Sequence, residues 1–264
     1  MYLNALLTLS APVFVAALAN PAITPAAVAD YQALEERAGT TPTPTGTACT
    51  ATTSPAPVSP SLIAQAVAGC VGVLPAGTND TRNDIVNGVC KPFTLIFARG
   101  TSEDPNLGNL VGPPFIYALN ATFGTKNVAV QGVNNYPASV PEFCIGGSPS
   151  GSQNLAQLIS QTRTKCPKTK LSVSGYSQGA QVVHNAASQL SAADTAFVNS
   201  VILFGDPDNG KPVGKIPSYK VSTDCHAGDN ICAGGETILE PHLSYCRDVA
   251  VEAAFAKARS LASN

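Results

Sequence analysis

Residues 171–187 read LSVSGYSQGAQVVHNAA. A short strand-type run, LSVSG, ends on a glycine, and a stretch suited to an amphipathic helix begins two residues later. Between them Ser177 stands flanked by Gly175 and Gly179, which satisfies G-x-S-x-G in its required context of strand before and helix after. Such a corner is strained, and it exposes the serine oxygen at its crest. Any Cβ at the two glycines would crowd the neighbouring strand and helix. The same turn aims the Gln178 N–H and the helix N-terminus at one point, where negative charge is favoured.

The pattern outward from this corner sets the fold class. FTLIFA (93–98), NVAVQG (127–132), LSVSG (171–175), SVILFG (200–205) and YKVST (219–223) are short apolar runs rich in β-branched residues. Helical candidates alternate with or follow them, over 111–123, 150–165, 178–190 and 245–261. Strands alternating with helix-length segments predict β-α-β units and a buried, mostly parallel five-stranded sheet. Right-handed crossovers then put helices on both faces, giving an α/β/α three-layer sandwich.

Composition narrows the partners. Only 12% of the 264 residues are charged, and the formal net charge is −2. No Lys/Arg run or basic stripe is present, which argues against nucleic acid and against a polybasic membrane-surface anchor. Residues 1–19 are apolar and end in Ala17-Leu18-Ala19, a secretory signal pattern, although the segment carries no Lys or Arg ahead of its apolar run. Residues 20–75 contain a Thr/Pro/Ser-rich stretch (38–61) and read as a pro-segment and linker without a packed face. The catalytic-type domain is expected over 76–264. Asn79-Asp80-Thr81 and Asn120-Ala121-Thr122 are N-glycan acceptor patterns.

Eight cysteines in an exported chain point to disulfides. No C-x-x-C pair occurs, and none of the three histidines has zinc-finger spacing to cysteine, so no metal site is expected.

A serine nucleophile needs a base. His184 lies seven residues beyond Ser177 on the same helix, about 10 Å along its axis, and cannot curl back. His226 reads as a solvated loop residue beside Cys225. His242, in LEPHLSYC, follows the serine in the order Ser, acid, His of this class of site. For the acid, Asp206, Asp208, Asp224, Asp229, Glu236 and Glu240 all fall between them. Asp206 ends a strand. Asp229 lies in CHAGDNIC, where a bridge between Cys225 and Cys232 would close a small loop worth about 2–3 kcal/mol by chain entropy and hold a carboxylate still. Both remain open on these grounds.

TRNDIVNGVC, FARGTSEDPNLG, VQGVNNYPA, SGYSQGAQ, CHAGDNIC and PHLSY together make residues from about 80 to 262 resemble the cutinase family of secreted serine esterases, its fungal branch above all. The resemblance implies a triad of Ser177, Asp229 and His242. It implies an oxyanion hole from Thr101, through its N–H and hydroxyl, and from the N–H of Gln178. It also implies disulfides Cys90–Cys166 and Cys225–Cys232. Four further cysteines lie outside the family pattern; a staple Cys144–Cys246 across the site mouth, with Cys49–Cys70 in the N-terminal extension, is the expected pairing. No cofactor is called for. The expected substrate is a polymeric or small ester, hydrolysed by a secreted monomer without stable membrane anchoring. An acetylxylan esterase of the same fold and a non-catalytic, elicitor-like secreted protein are the alternatives. Val140, Phe143 and Ile145 on one side of the expected mouth, and Ile238 and Leu239 on the other, form either an apolar rim or core.

Overall fold

A computed structural model of the chain describes residues 58–78 and 80–262. The signal expectation for 1–19, most of the linker, Cys49 and Asn79 lie outside the described residues. Asn120 lies inside α2, near its C-terminal end and partly exposed.

The elements run α1 (Pro60–Ala66), β1 (Phe93–Ala98), α2 (Gly112–Phe123), β2 (Val128–Gly132), α3 (Val140–Cys144) and α4 (Pro149–Lys165). They continue with β3 (Lys170–Tyr176), α5 (Gln178–Ser188), α6 (Ala192–Phe197), β4 (Val198–Phe204), β5 (Val221–Asp224) and α7 (Val249–Leu261). The five strands form one sheet in the order β2-β1-β3-β4-β5, and every pairing is parallel. β1, β2 and β4 are buried along their whole length, as a sheet covered on both faces requires.

Side chains alternate between two cores with the strand period of two. Ile96, Ala98, Val173, Val201 and Leu203 point to the side packed by Leu155, Leu158 and Ile159 of α4 and by Val182 and Val183 of α5. Leu95, Phe97, Ile202 and Phe204 point to the other, packed by Phe115 and Leu119 of α2 and by Val249 and Phe255 of α7. This is the expected three-layer arrangement.

The segment read as linker differs from expectation at its end. Pro60–Ala66 is helical, capped by Ser59 accepting from the Leu62 N–H, and it buries Ala66. Cys70 bonds to Cys246. This bond corrects both expected pairings, Cys144–Cys246 and Cys49–Cys70, since each needed one of those two thiols; Cys144 is engaged in a disulfide of its own. The physical reason is the path of residues 59–78. They run from the turn at 240–243, against which α1 packs, to the loop at 104–109, where Leu74 N–H donates to Asn109 O and Gly77 N–H to Asp104 Oδ2. The other two bridges, Cys90–Cys166 and Cys225–Cys232, are present.

Candidate active site

β3 runs in the middle of the sheet, and its C-terminal end carries the corner. Ser177 adopts φ 56° and ψ −123° between β3 and α5, a left-handed conformation that costs a non-glycine residue on the order of 1–3 kcal/mol. The surrounding contacts hold it there: its N–H donates to Phe204 O at 2.9 Å, and its carbonyl accepts from Ala180. A Cβ on Gly179 would fall onto the carbonyl of Ala98 at the end of β1, and one on Gly175 onto the carbonyl of Gly179. The two glycines thus let strand, helix and the following β1 loop close on one another.

His242 stands in a 3₁₀ turn (Glu240–Leu243) ahead of α7 and is buried. Its Nδ1 lies 2.8 Å from Asp229 Oδ2. Asp229 is also buried; its Oδ2 accepts from the Tyr245 hydroxyl at 2.6 Å and its Oδ1 from the Ile231 N–H at 2.9 Å. Burial alone would push this carboxyl up, but the bond to His242, the electrostatic pull of that residue, the Tyr245 hydroxyl and the Ile231 N–H outweigh it. They hold Asp229 below the usual carboxylate range. With Nδ1 donating to the carboxylate, Nε2 of the neutral ring is the proton acceptor, and it has no hydrogen-bond partner among the described residues.

The ring packs against the residue before Ser177: Tyr176 stacks on His242 at 5.2 Å and donates its hydroxyl to the His242 carbonyl at 2.9 Å. Gly205 makes room on the far side, where a Cβ would approach His242 Cε1 to 2.8 Å. No hydrogen bond joins Nε2 to Ser177 Oγ in this structure. Such bonds are commonly long until substrate is bound.

The loop after β1 faces the same corner. Gln178 Nε2 donates to Thr101 Oγ1 at 3.1 Å and to Ser139 O at 2.7 Å. Because Thr101 Oγ1 accepts there, its own proton is free to be donated elsewhere. The loop is pinned by Glu103, which sequence reasoning did not single out. Its carboxylate accepts from the N–H groups of Gly100 (2.7 Å), Asn109 (2.9 Å) and Leu110 (2.9 Å). Arg99 Nε donates to the Glu103 carbonyl, and Ser102 N–H to Ala138 O.

The remaining candidates are placed elsewhere. Asp206 pairs with His184, Nε2 to Oδ2 at 2.9 Å, which takes both out of the serine's reach. Asp208 bonds to Lys211, and Glu240 to Arg247, at the surface. Asp224 lies at the end of β5, facing His226. His226 departs from expectation: it is held by Asp248, by Ser244 and by stacking on Tyr245, and is not a solvated loop residue. The loop closed by Cys225–Cys232 places it there, against Tyr245, and only the folded loop reveals it.

A strand-to-helix corner bearing serine, with a buried histidine–aspartate pair beside it on a parallel sheet, defines a hydrolase of the α/β type. The family model described as cutinase matches residues 89–260. The chain belongs to the cutinase family and is a carboxylic ester hydrolase. It is 52% identical over 168 residues to a cutinase of Botryotinia fuckeliana (64% of this chain, 83% of the relative). It is 44% identical over 198 residues to cutinase pbc1 of Pyrenopeziza brassicae (75% and 93%). Among solved structures, Trichoderma reesei cutinase in complex with a phosphonate inhibitor superposes with a TM-score of 0.65 at 45% identity, covering 70% of this chain and 82% of that one. An acetylxylan esterase at 22% identity, with a TM-score of 0.54, shares the fold.

Proposed function

We propose that this chain is a secreted serine esterase that hydrolyses carboxylic esters of cutin-like aliphatic polyesters and short-chain acyl esters through an acyl-enzyme. Ser177 Oγ attacks the ester carbonyl while His242 Nε2 takes its proton, and Asp229 holds the ring in the required tautomer. The tetrahedral oxyanion rests on the N–H groups of Thr101 and Gln178 and on the Thr101 hydroxyl. One such donor is worth about 2.7–4 kcal/mol in the transition state. Collapse expels the alcohol, which leaves with the proton held on His242. Water, deprotonated by the same nitrogen, then attacks the acyl-enzyme, and the acid departs.

The observation that carries this reading is the 2.8 Å bond from His242 Nδ1 to the buried Asp229, which leaves Nε2 as the acceptor next to the Ser177 corner. The substrate class rests on the mouth. Val140, Phe143, Ile145, Ile238 and Leu239 are all outside the core, with Ile145 71% and Leu239 41% exposed. They flank the corner through Ser139, which accepts from Gln178, and through the turn carrying His242. An exposed apolar rim suits an aliphatic chain better than an acetylated sugar.

The test is an ester-chain-length profile of the mature protein beside acetylated xylan, with Ser177→Ala as control and a phosphonate serine probe. Preference for aliphatic esters, with both turnover and labelling lost in Ser177→Ala, is expected. Turnover retained by that variant removes the assignment. Preference for acetylated xylan moves the substrate, and an unlabelled, inactive wild type makes the chain a non-catalytic member of its fold.

A further inference from the structure

On the far side of Tyr245 from His242 lies a second imidazole among carboxylates, which the ester chemistry does not use. His226 Nε2 is 2.6 Å from Asp248 Oδ2 and 4.0 Å from Asp224 Oδ1. One ligand-type atom from each of Asp224, His226 and Asp248 lies within 4.8 Å of the others. Three elements deliver them: the end of β5, the loop closed by Cys225–Cys232, and the residue that begins α7. Glu252, on α7 four residues after Asp248, is buried and accepts from Ser222 Oγ at 3.0 Å.

Two observations go beyond a mere gathering of acids. Asp224 and Glu252 are each more than nine-tenths buried, and Asp224 Oδ2 and Glu252 Oε2 have no hydrogen-bond partner among the described residues. Buried carboxylate oxygens of this kind call for a positive partner. Second, the other ring nitrogen, His226 Nδ1, lies 3.0 Å from the carbonyl of Pro241 and 2.9 Å from Ser244 Oγ. A carbonyl can only accept, so Nδ1 carries a proton; Nε2 donates to Asp248 and turns its lone pair to a cation once that proton is released. The Nδ1 bond is the outer support which orients metal-ligating histidines.

We propose that Asp224, His226 and Asp248 form a binding site for a divalent cation of the zinc class, with Glu252 as an outer carboxylate. The charges that act on Asp224 are those of Asp248, His226 and Asp229, so one imidazole faces several acids. A dication supplies the missing charge. A nitrogen donor beside carboxylate oxygens favours zinc, cobalt or manganese over calcium and magnesium. Ligand bonds of about 2.0–2.2 Å require the His226–Asp248 contact to open. Asp248 is the member able to move, since its side chain is 33% exposed, and it gives the ion its entry.

The probe is Zn²⁺ titrated calorimetrically into the chelator-treated whole protein above pH 7.5, where protons compete least. One saturable site is expected. His226→Gln and Asp248→Asn, checked for folding by circular dichroism, should each weaken it about 10–100-fold or more, while His242→Gln leaves it unchanged. Co²⁺ added to the unaltered protein tests the same site without any variant, and should give the intense visible absorption of nitrogen and oxygen ligation in a low-symmetry site. Absence of saturable Zn²⁺ binding, binding that survives both cluster variants, loss of binding in His242→Gln, or a Co²⁺ spectrum like that of the aquo ion would each overturn the proposal. None of these readouts depends on ester hydrolysis.

Discussion

Tyr245 and His242 donate to the same atom, Asp229 Oδ2, from 2.6 and 2.8 Å. The tyrosine oxygen in turn accepts from the His226 N–H at 3.0 Å, and its ring stacks on His226 at 4.1 Å. The carboxylate that orients His242 is therefore held from two sides, and the second holder comes from beyond the family's reactive residues.

Tyr245→Phe removes that second donor and leaves the His226 N–H without its acceptor. A hydrogen bond to a charged group is worth about 1.5–3 kcal/mol, and a loss of that order is expected at neutral pH. The sign with pH follows from Asp229, whose folded value is depressed. Its contribution is present above the unfolded carboxylate value of about 3.9 and fades as the pH falls through the folded one. In the variant the depression shrinks, so the stability gap to wild type should narrow below about pH 4. Urea unfolding from pH 7 to pH 2.5 checks this; a gap of constant size across that range would refute the linkage.

Glu103→Gln tests whether the carboxylate behind the Thr101 loop sets its shape. An amide offers one acceptor oxygen where the carboxylate serves three N–H groups on two. Either the Gly100 N–H or the Asn109–Leu110 pair then meets an NH₂ group. The unsatisfied donors should cost about 1–3 kcal/mol of stability. If Thr101 moves with its loop, kcat for a short-chain ester should fall more than KM rises. Unchanged kcat, with stability lost, would reduce Glu103 to a purely structural brace.

The rim carries its own prediction. Ile145 and Leu239 are exposed, one just after α3 (Val140–Cys144) and the other just ahead of the His242 turn, and contribute little to the core. The double variant Ile145→Asp/Leu239→Asp should fold as wild type does, since surface substitutions usually change stability by no more than about 0.5 kcal/mol. Release of acid from an insoluble aliphatic polyester should drop severalfold while hydrolysis of a soluble butyrate ester stays near wild type. Equal losses on both substrates would show that the rim acts on the reaction and not on the polymer.

Much of this was legible in residue order, and the misses share a cause. Strands rich in β-branched residues were recognisable because burial on both faces leaves them continuously apolar. SVILFG and FTLIFA therefore fall within a residue or two of β4 and β1. The Ser177 corner was legible because the two glycines have no substitute there. Short helices such as Val140–Cys144 and Ala192–Phe197 have too few turns to show a period. The acid stayed open between Asp206 and Asp229 because both follow strands; only the fold commits Asp206 to His184. The partner of Cys70 is hidden from residue order because a Thr/Pro/Ser-rich neighbourhood conceals a seven-residue helix that packs against a turn about 180 residues away.

That last contact makes the final prediction. Cys70–Cys246 joins residues 176 apart in sequence, though Cys90–Cys166 shortens the loop it closes. By chain entropy such a closure is worth about 4–5 kcal/mol, and losses of native bridges typically measure about 2–5 kcal/mol. Cys246 sits four residues after His242, in the 3₁₀ turn that leads to α7, and the neighbouring Arg247 donates to the Gln65 carbonyl of α1 at 3.3 Å. Cys70→Ser/Cys246→Ser should therefore lower the unfolding midpoint, and amide exchange should quicken in residues 59–70 and in the 240–247 turn together. Its soluble-ester activity should persist at low temperature, because His242 keeps its bonds to Asp229 and to Tyr176. Exchange that quickens in α1 alone, with the 240–247 turn protected as in wild type, would show that the bridge tethers the extension without bracing the histidine.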